Sequence, residues 1–188
     1  MPYVYEIARR VQGRRISARF YTEKQAIRAG ALDIPRYHQL DHHSCGFLAA
    51  LAVVRCFNLK PRMEDILAAS MPAPSRGCDQ NQMIRALKRL GVTAVYHQWL
   101  GWPQIARELA ERRPVIVTIE PWWYDRDEGW TGYAWDHWTV IRGLQPKRRR
   151  VLLTNYTEAD NDGGLTWQEF RRFRRYSDPE CGGLLCST

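Results

Sequence analysis

The chain changes its hydrophobic period once, and that change sets its fold class. Between Cys45 and about Arg113 the apolar residues recur mainly at helical spacing, and from Pro114 onward they alternate or run on as in strands. Phe47, Leu48, Leu51, Val54 and Phe57 mark a helix over Cys45 to Phe57, with Ser44 placed to cap it. Pro61 to Ser70 reads as a second, short helix and Met71 to Gly77 as a loop. Asp79 caps a third helix, with Met83, Ile84, Leu87 and Leu90 on one face and Gly91 as its stop. A short strand over Val92 to Tyr96 precedes a fourth helix, opened by Pro103 and ending near Arg112-Arg113. Pro114 to Ile119 is the clearest buried strand, followed by alternating strands over Trp135 to Arg142 and Val151 to Asn155. Helices gathered in the first half and strands in the second predict an α+β domain.

Residues 1–33 read as an appendage to a main domain over 34–188. Tyr3 to Ile7 alternates, Gln12-Gly13 signals a turn, and Ile16 to Phe20 alternates again, which predicts a β-hairpin. Thr22 then caps a short helix over Glu23 to Arg28, and Gly30 ends it. The hairpin carries Arg9-Arg10 and Arg14-Arg15, part of a net charge of +8 shared with Lys147 to Arg150 and Arg171 to Arg175. Two readings stand: an edge hairpin with solvated charge, or a weak contact with nucleic acid or an acidic partner.

The five cysteines are an odd number. With no basic-then-apolar segment at the N-terminus, this predicts reduced thiols and a cytoplasmic protein. No apolar run approaches the roughly 20 residues that span a membrane.

Chemistry concentrates around Cys45. Gln39 stands six positions before it (45 − 39), Gly46 follows it, and His137 and Asn155 come far downstream. A helix N-terminus and a neighbouring imidazolium both lower a thiol pKa, so the capped helix and His137 are expected to activate Cys45. Asn155 is expected to hold the His137 ring. The Cys45 backbone N–H and the Gln39 amide are the expected oxyanion donors, and Gly46 leaves the approach uncrowded. The turn at Gln145-Pro146-Lys147 adds a register argument. A hairpin centred near Pro146 pairs residues whose numbers sum to about 292, as 137 and 155 do. His137 and Asn155 are therefore expected as cross-strand neighbours on one face.

These residues, in this order, resemble the papain-like peptidases that process double-glycine leader peptides of bacteriocins. The shared features are Gln39, Cys45-Gly46 at a helix head, the Pro-led strand Pro114 to Ile119, His137 to Gly143, and Leu165-Thr166-Trp167-Gln168-Glu169-Phe170. The likeness runs from about Ile34 to Phe173. It implies a papain-like cysteine peptidase acting on a peptide or protein through a thioester, without a cofactor. The family usually has Asp, often before Pro, where this chain has Asn155-Tyr156, and often Asp where it has Ser44. The alternatives are a papain-like fold that binds peptides without cutting them, and transglutaminase-like acyl transfer.

Around the expected cleft, Trp122, Trp123, Trp130, Tyr133, Trp135 and Trp138 form an aromatic run, with Asp125, Asp127, Glu128 and Asp136 among them. Trp122, Trp123, Trp135, Asp136 and Trp138, with Gly46, are the expected substrate contacts; loop packing is the alternative. No metal is expected. Adjacent His42-His43 face apart with no Cys or His following at ligand spacing, Cys181 and Cys186 with Cys78 elsewhere make a weak zinc case, and Asp160 to Gly164 lacks the full calcium series. Gly182-Gly183 reads as an ordinary turn or as a substrate mimic that the site holds or cuts.

Overall fold

The computed structural model describes residues 30–34, 37, 44–70, 77–119, 137–154, 165–174 and 182–188. The expected N-terminal hairpin and helix lie outside the described residues. Helix α1 (Cys45–Cys56) forms where its spacing predicts. Ala49, Ala50, Ala52, Val53 and Val54 are wholly buried, so burial runs round the helix instead of along one stripe. Small residues make this possible by letting other elements approach from several sides. Ser44 departs from expectation. Its carbonyl accepts from Leu48 N–H at 2.9 Å, but its side chain makes no capping bond. With φ −83° and ψ 4° its backbone lacks the extended form that aims a capping hydroxyl at the first turn.

Helix α2 (Met63–Ser70) has Glu64 and Asp65 in its first turn, where the helix dipole favours them. Helix α3 (Gln80–Arg89) is closed by a capping box: Gln82 N–H donates to Asp79 Oδ1 at 2.7 Å, and Asp79 N–H to Gln82 Oε1 at 2.8 Å. Gly91, at φ +85°, turns the chain out of it. Strand β1 (Thr93–His97) and helix α4 (Trp102–Ala110) follow, with Pro103 in the first helical turn. Then come β2 (Val115–Ile119), buried throughout, and β3 (His137–Gln145). A 3-10 turn, Pro146–Arg148, leads to β4 (Arg150–Thr154). The described chain ends with β5 (Leu165–Thr166), α5 (Trp167–Arg174) and β6 (Gly183–Ser187).

The strands form one antiparallel sheet in the order β1-β6-β2-β3-β4-β5. Helix α1 packs on β3 and against α2 and α3, α3 also meets β1, and α5 meets β2, β4 and β5. Leu32 N–H donates to the Arg142 carbonyl at 2.6 Å, and Leu32 itself is buried.

Two expectations are corrected. The C-terminal tail is neither turn nor substrate mimic. Strand β6 lies between β1 and β2, with Gly183 opposite both Val117 and His97. A Cβ at Gly183 would stand 2.6 Å from Leu100 Cδ1 and 2.7 Å from the Ile116 carbonyl oxygen, so glycine is a packing requirement there. The β3–β4 register also differs. Gln145 pairs with Arg150 (145 + 150 = 295) and Ile141 with Leu153 (141 + 153 = 294), not at 292. The turn is longer than Gln145-Pro146-Lys147 suggests, because Arg149 adopts a left-handed conformation at φ 49°. The register then shifts once more between Ile141 and Gly143. The change from 292 to 294 is even, so Ile141 and Leu153 still share a face.

Candidate active site

Cys45 is the first residue of α1 and His137 the first of β3; both are buried. The immediate neighbours of these two residues meet. A Cβ placed on Gly46 would lie 3.6 Å from Trp138 Cδ1, 3.5 Å from Met83 Cε and only 2.7 Å from Cys78 Cβ. The indole of Trp138, 5% exposed, donates its N–H to the Cys78 carbonyl at 2.5 Å. Three elements therefore converge beside the Cys45-Gly46 bond: the head of α1, the head of β3, and the segment entering α3. The last is fixed by the capping box, since Asp79 follows Cys78 directly, and by Met83, fully buried on α3.

Burial disfavours a thiolate at Cys78, beside this junction, and at two more distant cysteines. Burial pushes the Cys78 thiol up to about 12, with the Asp79 carboxylate and the Cys45 thiol adding to the rise and Arg85 opposing it. Burial likewise raises Cys56 to about 11, against the pull of Arg112, and raises Cys186 further. These three thiols stay protonated at neutral pH and make poor nucleophiles. Two residues beyond His137, the Thr139 hydroxyl donates to the Thr154 carbonyl and ties β3 to β4.

Cys45, Gly46, His137 and Trp138 thus lie at one junction of α1 and β3. Gln39, Asn155, Trp122, Trp123, Trp135 and Asp136 lie outside the described residues, as do His42, His43, Cys181 and residues 160–164. Among the described residues no group of three or more His, Cys, Asp or Glu is placed to hold a metal. None of the described helices is long and apolar enough to cross a membrane. Sequence reasoning missed Cys78 and Met83 as neighbours of Gly46. The available signal was the Asp79 capping box, which pins the preceding residue to the start of a helix.

A buried helix headed by Cys45, packed on an antiparallel sheet whose central strand begins with His137, is the arrangement of the papain-like α+β class. More particularly, the fold is that of double-glycine peptidase domains. A crystal structure of a double-glycine-motif protease from an AMS/PCAT transporter, in complex with the leader peptide, matches with a TM-score of 0.57 and 14% identity, over 84% of this chain and 93% of that one. The peptidase domain of Streptococcus ComA, a bifunctional ABC transporter involved in quorum sensing, matches with a TM-score of 0.54 and 13% identity, over 81% and 96%. No family model matches the chain, and no curated protein matches it significantly.

Proposed function

We propose that this chain is a cysteine peptidase that cuts a peptide bond after small residues such as Gly-Gly, with Cys45 as nucleophile and His137 as base. The observation that carries the reading is the contact between Gly46 and Trp138, the residues directly after Cys45 and His137. It puts the heads of α1 and β3 at the same end of their packing, the placement from which thiol catalysis could start. The contact is made through the Trp138 side chain and so locates the two heads; the action of the His137 ring on Cys45 is what the labelling below tests.

In this mechanism His137 takes the Cys45 proton, and the thiolate attacks the substrate carbonyl carbon. The Cys45 N–H and the Gln39 side chain hold the oxyanion. His137 passes its proton to the leaving amine, and water, deprotonated by the same ring, hydrolyses the thioester. Asn155 orients the ring, and the aromatic run from Trp122 to Trp135, with Asp136, flanks the peptide. The leader peptide named in the complex of the AMS/PCAT protease supports a Gly-Gly-bearing peptide as the substrate class.

Iodoacetamide labelling at pH 7, mapped by peptide mass, tests the chemistry. Cys45 should react at least ~10²-fold faster than Cys56, whose thiol burial holds near 11, and His137→Ala should remove the difference. Cleavage of a Gly-Gly leader-type peptide, lost in Cys45→Ala, completes the case. Labelling of Cys45 no faster than Cys56 would overturn it and leave a peptide-binding module. Incorporation of added amines without hydrolysis would make the reaction acyl transfer.

A further inference from the structure

We propose that Trp138 is a positioning residue, whose indole sets how closely the head of α1 approaches the head of β3 and thereby the working distance between Cys45 and His137. The inference rests on the peptidase reading and assigns Trp138 a role beyond lining the substrate. The side chain is 5% exposed, so little of it faces a substrate. Its ring rests against Gly46, with Cδ1 3.6 Å from where a Cβ there would stand, and its one donor is bonded to the Cys78 carbonyl at 2.5 Å. Gly46 is bonded to Cys45, and Trp138 to His137. The indole is thus a rigid spacer held at three points: to α1 by packing, to the α3 entry by a hydrogen bond, and to the base by the chain itself.

The choice of residue fits the task. Tryptophan combines a large rigid body with a single polar handle, so it fixes a distance and an orientation together. Glycine at 46 lets the spacer seat fully. The Asp79 capping box keeps the bonded carbonyl from drifting. Removing the whole side chain opens a cavity into which α1 can settle, whereas phenylalanine keeps most of the volume, drops the N–H and frees the orientation.

The test follows Cys45 alkylation by iodoacetamide against pH in wild type, His137→Ala, Trp138→Phe and Trp138→Ala, with Cys56 as an internal reference. In wild type, Cys45 should react well below the pH range of an ordinary thiol, and only with His137 present. Trp138→Phe should lower the pH 7 rate about 10-fold and Trp138→Ala about 10²-fold, the scale expected for misplacing a reacting group by about 1 Å. Both should move the profile towards an ordinary thiol while Cys56 labelling stays constant. General loosening of the fold would instead speed Cys56. If Trp138→Ala does not fold, Trp138→Phe decides. His137-dependent reactivity with an unmoved profile in the Trp138 variants overturns the positioning role alone. Reactivity of wild-type Cys45 that ignores His137 overturns the peptidase reading, and this inference with it.

Discussion

Gly46 shows how a glycine noticed for one reason can be needed for another. Read from the sequence, its missing side chain clears the approach to Cys45. In the structure that space is taken from within the protein: a Cβ there would stand 2.7 Å from Cys78 Cβ and 3.6 Å from Trp138 Cδ1. A β-carbon anchored beside backbone cannot swing aside as the tip of a lysine can. Gly46→Ala should therefore destabilise the protein by about 1–3 kcal/mol through overpacking, measured by urea unfolding. Cys78→Gly in the same background should recover part of the loss, because it removes the clashing atom. Cys78→Ala, which keeps that atom, should recover none. Equal stability of Gly46→Ala and wild type would show that the α3 entry yields freely. No pattern in the sequence revealed this contact, because Gly46, Cys78 and Trp138 come from three distant segments and only tertiary packing joins them.

Elements were legible where local chemistry decides them. The third helix was readable from Asp79, its apolar face and Gly91, and it forms over Gln80–Arg89 with both halves of the capping box present. Asp79→Ala should cost about 1 kcal/mol by thermal or chemical melting. It should also raise Cys78 labelling, since the cap holds that segment against Gly46. An unchanged melt would mean that packing around Met83 alone fixes the helix. Strand pairing was less legible. The β3–β4 register depends on Arg149 adopting a left-handed conformation, which the Pro146 signal does not announce. Strand β6 was missed because Gly182-Gly183 has the composition of a turn. What makes the pair a strand entry is remote: Arg174, 2% exposed, donates to the Gly182 carbonyl at 2.9 Å and to the Leu100 carbonyl at 3.0 Å. Gly183 then slots against Leu100 and Ile116.

At the scale of the whole molecule, a chain of net charge +8 gains further positive charge in acid, and repulsion then works against the compact state. One ion pair should make a separable contribution. Glu108, 4% exposed on α4, accepts from Arg113 Nε at 2.7 Å and lies 3.5 Å from Arg107 Nε. The bond from Arg113 is the largest reason its carboxyl is held below the usual range; burial opposes this and Arg107 adds to it. Arg113 immediately precedes Pro114 and the fully buried β2, so the pair joins the end of α4 to the centre of the sheet. With its pKa lowered on folding, Glu108 binds a proton more weakly in the folded chain than in the unfolded one. Its stabilisation is then complete above the ordinary glutamate pKa of about 4.3 and is lost as pH falls through the lowered folded value. Glu108→Gln keeps the shape without the titration. Wild type should melt a few degrees above Glu108→Gln at pH 7, at about 2–4 °C per kcal/mol for a chain of this size. The gap should close as pH falls from about 5 towards 3. Other carboxylates cancel in the difference, so a gap that stays constant to pH 3 would assign the stability of this junction to packing alone.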